Sequence, residues 1–133
     1  MAQDSFGRLR MSQPVTMFDS FHRYQDNGKS STANTAGGTF AFNSNTSSID
    51  CTVNTVSGAS VYRETNRVFA YQPGKSLQSF ITFVMNPAKT NLRQRIGLFG
   101  VNNGFFLERS DDIYFVKRSS FTGSAVDTRV SQS

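Results

Sequence analysis

Three short stretches of this sequence contain residue types that enzymes use for chemistry. The first holds Asp19, Ser20 and His22, the side chains of a serine-hydrolase triad, in which a base reaches the nucleophile and a carboxylate orients the base. In an extended strand Ser20 and His22 share one face while Asp19 points to the other, so the relay cannot form locally. We therefore interpret these three residues as structural, because a site is defined by geometry and not by residue types.

The second stretch, "YQPGKS" at residues 71–76, ends like a phosphate-binding loop. The complete motif needs a glycine five residues before Gly74, where this chain has Phe69, and it needs a helix to follow. A tight turn centred on Pro73 and Gly74 explains the same residues. The sequence therefore does not predict a nucleotide site.

The third stretch carries Glu108, Asp111 and Asp112, which could hold a divalent cation. Hairpin turns are often rich in Asp, and the ligand spacing of a calcium-binding loop is absent. The single cysteine, Cys51, excludes an intrachain disulfide and a cysteine-based zinc site, and its position in an alternating stretch predicts a small buried side chain. We expect no catalytic residue, no metal and no cofactor.

The strongest electrostatic signal is a basic surface in the second half of the chain. Residues 67–133 hold nine basic and four acidic side chains. Arg93 and Arg95 share one face of a predicted strand with Phe99, an arrangement that can neutralise phosphates and stack bases. The net charge of +5 is modest for a nucleic-acid-binding protein, so a sheet surface facing solvent or another subunit is favoured.

The composition predicts that strands position these residues. Of the 133 residues, 40 are Ser, Thr or Asn, and 13 Phe concentrate the apolar area into large side chains. Long helices need residues that are scarce here, whereas Thr, Val, Phe and Tyr favour strands and Ser, Asn and Gly favour turns. The sequence predicts a soluble all-β domain, since it has no secretory signal and no apolar stretch near the length of a membrane span.

Local patterns place these strands along the chain. Residues 77–85, "LQSFITFVM", are apolar on both faces and predict a central strand covered on two sides, whereas residues 27–38 are polar and predict a surface loop. Residues 92–119 predict a meander with tight turns at 102–104 and 110–112. Further predicted strands are residues 15–24, 48–56, 59–65, 67–71 and 125–130. About eight antiparallel strands without a helix predict a β-sandwich of jelly-roll type.

The opening stretch, "DSFGRLRMSQPVTMFDSFHRY" at residues 4–24, has no regular period in its first half. It resembles the N-terminus of a family of virion structural proteins from tailed bacteriophages of marine and freshwater bacteria, including cyanophage-like members, which begin Asp-x-Phe-Gly-Arg-Leu-Arg-x-Ser-x-Pro-x-Thr-x-Phe-Asp-Ser. The likeness continues through residues 63–76, 83–108 and 114–132. It implies a particle component without catalytic or metal-binding residues, whose family chains extend past the equivalent of Ser133.

The resemblance and the residue pattern together predict an assembly arm. We expect residues 1–14 to form an extended N-terminal arm and residues 15–133 to form one β-sandwich domain, which could be the N-terminal part of a longer family chain. An arm rich in Arg and Phe can add backbone pairing, buried rings and bidentate arginine contacts to a neighbouring subunit. The predicted assembly residues are Phe6, Arg8, Leu9, Arg10 and Phe18.

The expected function is that of a non-enzymatic structural subunit of a tailed-phage virion, assembled in the host cytoplasm. Its expected partners are copies of itself and other virion proteins, with a tail- or fibre-associated position favoured over a capsid decoration. We expect neither nucleic acid nor a membrane as partner. The alternative is a jelly-roll module that recognises host-surface glycans, for which Tyr62, Tyr71 and Tyr114 could supply stacking surfaces.

Overall fold

The computed structural model describes Gln3, Phe6, Gly7 and residues 15–70, 73–121 and 123–132. Within these ranges the chain forms eight strands in three antiparallel sheets and no helix, so the all-β prediction is confirmed. The same ranges contain no helix of the length and hydrophobicity needed to cross a bilayer. The chain divides into two compact units, Met1–Pro73 and Gly74–Ser133. The sandwich arrangement and the single domain at 15–133 stay predictions.

The first unit contains two small antiparallel sheets. β1 (Ser30–Thr35) pairs with β4 (Ser60–Thr65), and β2 (Gly38–Asn43) pairs with β3 (Ser48–Val53). Cys51 lies on β3 directly opposite Phe40, and both residues are exposed. The prediction of a buried cysteine is therefore wrong, because nothing in this two-stranded sheet covers the face that the two side chains share.

Outside these strands, the first unit departs from the predicted pattern. β1 lies inside the stretch predicted to be a loop, while residues 15–24 and the described residues 67–70 form no strand. Residues 15–24 are held by side-chain hydrogen bonds and not by a strand ladder. Arg67 Nη1 donates to the Met17 carbonyl at 2.7 Å, and Lys29 Nζ donates to the Asp19 carbonyl at 2.5 Å. The predicted first strand is wrong because cationic side chains satisfy these carbonyls.

The second unit is built on a four-stranded meander. The strands are β5 (Gln94–Phe99), β6 (Gly104–Arg109), β7 (Ile113–Ser119) and β8 (Val126–Ser131). They pair in sequence order and every pair is antiparallel. The predicted turn at 110–112 connects β6 to β7, and the predicted turn at 102–104 overlaps the connection from β5 to β6, although Gly104 already belongs to β6. The meander prediction is confirmed.

The predicted central strand at residues 77–85 is wrong, because the structure assigns no strand there. The Gln94 side chain anchors the end of this segment, since its amide donates to the Asn86 carbonyl and its carbonyl accepts from the Asn86 N–H, both at 2.9 Å. A strand also needs a backbone ladder. The apolar pattern fits a buried strand, but no strand of this unit pairs with these residues.

Alternation along β5–β8 gives the four-stranded sheet two chemically different faces. One face, called the charged face below, carries Arg95, Phe99, Phe106, Glu108, Val116, Arg118, Asp127 and Arg129. The other, called the apolar face, carries Ile96, Leu98, Phe105, Leu107, Ile113, Phe115, Val126 and Val130, together with the polar residues Gln94, Arg109, Lys117, Ser119 and Thr128. In the described chain, Phe106 and Val116 are the fully buried hydrophobic side chains and Glu108 is the fully buried charged one. The packed centre of this unit therefore lies on the charged face.

Candidate functional site: the two faces of the four-stranded sheet

Glu108 is the electrostatic centre of the charged face. Its side chain is 1% exposed, and it accepts hydrogen bonds from Arg95 Nε at 2.7 Å and Arg129 Nε at 2.8 Å. Arg93 Nε lies 3.7 Å from the same carboxylate and is 56% exposed. Antiparallel pairing of β5 with β6 places Arg95 directly opposite Glu108. Both carboxylate oxygens are thus satisfied by cations, as a buried charge requires.

A second carboxylate extends this network across β7 and β8. Asp127 accepts two hydrogen bonds from Arg118, from Nε at 2.7 Å and from Nη2 at 2.9 Å, in the bidentate geometry typical of strong arginine pairs. Arg129 Nη2 also reaches Asp127 at 3.4 Å, so Arg129 links the two carboxylates. The hydrogen bond from Arg118 lowers the pKa of Asp127 and outweighs the opposing effect of burial.

The pKa of Glu108 reflects the same competition. Burial raises this pKa, but the hydrogen bonds from Arg129 and Arg95 together outweigh burial and leave it below the ordinary value. The carboxylate is therefore ionised at neutral pH and fully paired. Such a group stabilises the sheet, and its arginine partners hold it in the ionised form.

Phe106 forms the apolar centre of the charged face. The Cζ atoms of Arg95 and Arg118 each lie 5.3 Å from its ring centroid, and the Phe99 ring lies 4.5 Å away. Gly97 lies opposite Phe106, and a Cβ atom there would come within 2.6 Å of the Phe106 Cα. Glycine is thus needed for β5 to approach this stacked cluster.

The basic surface predicted at Arg93 and Arg95 contains only some of the residues of this charged network. Arg95 and Phe99 do share a face, but Arg95 is 27% exposed and its guanidinium already contacts Glu108 and Phe106. Arg93 is the more accessible cation. Sequence reasoning missed the acidic partners, because the predicted turn at 102–104 is displaced from the observed connection, in which Phe99 lies opposite Gly104 and Arg95 therefore opposite Glu108. A nucleic-acid surface stays an untested alternative.

The predicted assembly residues fall partly on the described chain. Phe6 is 82% exposed, whereas Phe18 packs edge-to-face on Phe69 with ring centroids 5.5 Å apart. Lys29 Nζ lies 6.0 Å from the Phe18 ring. Phe18 therefore belongs to the packing of the first unit. The remaining predicted assembly residues, Arg8, Leu9 and Arg10, lie outside the described residues.

The residue types of a hydrolase triad have other partners in the first unit. Ser20 Oγ accepts a hydrogen bond from Asn27 Nδ2 at 2.5 Å, and His22 Nδ1 lies 3.9 Å from Asp26 Oδ1. Asp26 in turn accepts a hydrogen bond from Arg63 at 2.6 Å. These contacts tie the segment before β1 to β4, which is a structural role.

The acidic stretch of the second unit forms the β6–β7 turn. Asp111 accepts hydrogen bonds from the Ser110 hydroxyl at 2.6 Å and the Tyr114 hydroxyl at 3.2 Å. In the part of the chain that the structure describes, no three His, Cys, Asp or Glu side chains gather as metal ligands would. The positions of these carboxylates are explained by turn formation.

The apolar face presents a different surface. Phe105, Phe115, Val126 and Val130 are 43–56% exposed, although each belongs to a regular strand. The Phe105 and Phe115 rings stack with their centroids 6.5 Å apart. An open groove runs between this face and the preceding irregular segment, lined on the segment side by Ser79, Ile81 and Phe83. Exposed apolar patches of this kind are typical of interaction surfaces.

In comparisons with known proteins, no family model, no curated protein sequence and no solved structure matches this chain.

Acid should destabilise the second unit through Glu108 and Asp127. Both pKa values are lower in the folded chain than in an unfolded one, where they are about 4.3 and 3.9. The unfolded chain therefore binds more protons as the pH falls into this range, so their contribution is complete above about pH 5 and is lost progressively as the pH falls through the unfolded values towards the lower folded ones. We expect the urea midpoint to fall in this window. In the Glu108→Gln variant the urea midpoint should depend less steeply on pH than in the wild-type chain. An unchanged pH dependence would contradict the contribution of Glu108 to acid destabilisation.

Proposed function

We propose that this chain is a non-enzymatic structural subunit of a tailed-phage virion that assembles with copies of itself and with other virion proteins. The observation that carries the proposal is the amount of apolar surface. In the described residues two hydrophobic side chains are fully buried, whereas twenty-two large ones are exposed. Chains that complete their hydrophobic cores against a partner expose such surface before assembly.

The assembly arm supports the same proposal from the sequence. Residues 1–14 join two arginines to aromatic and aliphatic side chains, a combination suited to binding a neighbour's surface. Because residues 4–24 resemble phage particle proteins, we propose the virion as the location of this subunit. We favour a position in the tail or a fibre over a capsid decoration. The virion is then its final location after assembly in the host cytoplasm.

Removing the arm should abolish incorporation into particles. We expect a chain that lacks residues 1–14 to fold but to reach purified virions at less than about a tenth of the normal copy number, a loss of roughly 1.4 kcal/mol or more in assembly free energy. The cut is placed before residue 15 because Met17, Phe18 and Asp19 contact the first unit. Quantitative mass spectrometry of particles from infected cells measures the copy number.

Two full-length variants separate the arm's chemistry from its length. Arg8→Ala plus Arg10→Ala should reproduce most of the loss, whereas Arg23→Ala plus Lys75→Ala removes the same charge from exposed positions and should not. Normal incorporation of the truncated chain would contradict the arm hypothesis.

A glycan-binding module is the second candidate, and one surface feature favours it. An open groove beside the β6–β7 turn brings together Lys89, Asn91, Ser110 and Asp111, which can donate to and accept from sugar hydroxyls. Tyr62 is 57% exposed in the first unit, while the Tyr114 hydroxyl is bonded to Asp111. Tyr71 lies outside the described residues. Specific hits on an array of host-surface glycans would favour this function over a purely structural one.

A further inference from the structure

Residues 79–85 have the side-chain pattern of a strand buried on both sides. Ser79, Ile81 and Phe83 line the groove against the apolar face. The intervening residues point the other way, and Phe80 is 84% and Val84 93% exposed. One side of the segment therefore faces its own sheet across this groove, with Ile81 and Phe83 each 43% exposed, and the other side has no cover.

The backbone of the same residues lacks a ladder. Across the described chain, no backbone–backbone hydrogen bond outside the eight strands involves residues 79–85, and none of the eight strands includes them. Unpaired backbone N–H and C=O groups can accept an added strand, as they do at the exposed edge of a sheet. Burial of the exposed side chains would also require these polar groups to be paired.

The rest of the apolar face adds to this surface. The groove is lined from β5, β6 and Phe115, whereas Ile113, Val126 and Val130 towards β8 are 36%, 55% and 56% exposed and do not line it. Taking about 150–250 Å² for an aromatic side chain, the exposed fractions of this segment and face amount to on the order of 1,000 Å² per chain. A standard protein interface buries about 800 Å² on each partner. The surface is thus large enough for a stable complex.

We infer that a second copy of this chain covers this surface, pairing with residues 79–85 and burying Phe80 and Val84. The charge distribution favours a copy over a different protein. From Ser76 to Ala88 the chain has no ionisable side chain, so two copies can pair along this segment without like-charge repulsion, although each carries a net charge of +5. On the apolar face the ionisable side chains are Arg109 and Lys117. The inference deepens the proposed function and rests on it in one respect, that the chain acts as a repeated subunit.

Light scattering coupled to gel filtration tests the inference on the purified full-length chain. We expect the wild-type chain to be oligomeric at micromolar concentration. Replacing Phe80 and Val84 together with threonine should weaken self-association by about 100-fold, because each central apolar side chain contributes about tenfold or more. Threonine keeps the strand propensity of the segment. Both side chains point away from the sheet, so the folded unit should persist.

A matched pair of variants controls for lost hydrophobicity. Phe121 is 98% and Val101 84% exposed in the same unit, and replacing both with threonine removes the same atoms outside the segment. This control should form an oligomer of the same mass as the wild-type chain does. Amide hydrogen exchange provides the second measurement: residues 79–85 should be protected in the wild-type oligomer and lose that protection in the Phe80 and Val84 double variant, while β5–β8 stay protected in both.

The outcomes separate this inference from the proposed function. A wild-type chain that is monomeric, or a double variant that associates as tightly as wild type, would overturn the inference. A chain that associates through residues 79–85 but is absent from particles would overturn the proposed virion role and support the inference. A monomeric chain that is found in particles would overturn the inference and support the proposed virion role.

Discussion

Replacing Glu108 with alanine is expected to lower the free energy of unfolding of the second unit by about 3 kcal/mol. The substitution removes the one carboxylate that Arg95 and Arg129 share, and it leaves their guanidinium groups facing each other. Breaking a buried ion pair usually costs about 3–5 kcal/mol. We expect the lower end of this range because Arg95 and Arg129 are 27% and 36% exposed and can recover water.

Amide exchange in β6 and β7 measures this loss in the unit concerned, since the exchange of strongly protected amides reports its unfolding. Glu108→Gln should cost less than the alanine variant, because the amide oxygen still accepts one arginine hydrogen bond. The matched control is Glu64→Ala on β4, an exposed glutamate, which should change stability by less than about 0.5 kcal/mol. Equal effects of Glu108→Ala and Glu64→Ala would contradict the central role of Glu108.

The sequence was sufficient to predict the meander but not its packed face. The turn residues near 102–104 and at 110–112 predict that β5–β7 form, because hairpins form locally. They do not predict the β5–β6 register, in which Phe99 lies opposite Gly104. "GFFLER" on β6 carries two adjacent phenylalanines, Phe105 on one face and Phe106 on the other. Hydrophobicity alone favours the face with Phe105 and Leu107 as the core. The structure buries Phe106 beside Glu108 because three arginines from other positions converge there, and that convergence is not local.

The misassigned segments have a common physical cause. Residues 77–85 have the composition of a central strand, but a strand forms only where a second backbone is available to pair with it. β1 shows the converse, since the polar residues 30–35 form a strand through pairing with β4, and Arg63 on β4 donates to Thr32 Oγ1 at 2.7 Å. Propensity describes single residues, whereas ladder formation depends on partners distant in sequence. For residues 79–85 we place that partner on another chain.

Phe106→Ala should be the other strongly destabilising substitution, with an expected loss of about 3–4 kcal/mol. Its ring is 1% exposed and contacts Phe99 and two guanidinium groups, so its removal leaves a cavity and ends two cation–π contacts. The same amide-exchange measurement in β6 and β7 applies. Phe121→Ala is the matched control, because that ring is 98% exposed and its loss should cost less than about 0.5 kcal/mol.

Two further variants distinguish lost volume from lost cation–π attraction. Phe106→Leu retains much of the apolar volume but no π-face, so its cost, expected at about 1–1.5 kcal/mol, includes the stacking contribution. Arg118→Ala should cost less in the Phe106→Leu background than in the wild-type chain, by about 0.5–1 kcal/mol, since its pairing with Asp127 is present in both backgrounds and cancels. A coupling near zero would mean that Arg118 contributes through its hydrogen bonds to Asp127 and the Gly100 carbonyl and not through the Phe106 ring. A Phe106→Ala loss below about 1 kcal/mol would mean that the charged face does not hold the core of this unit.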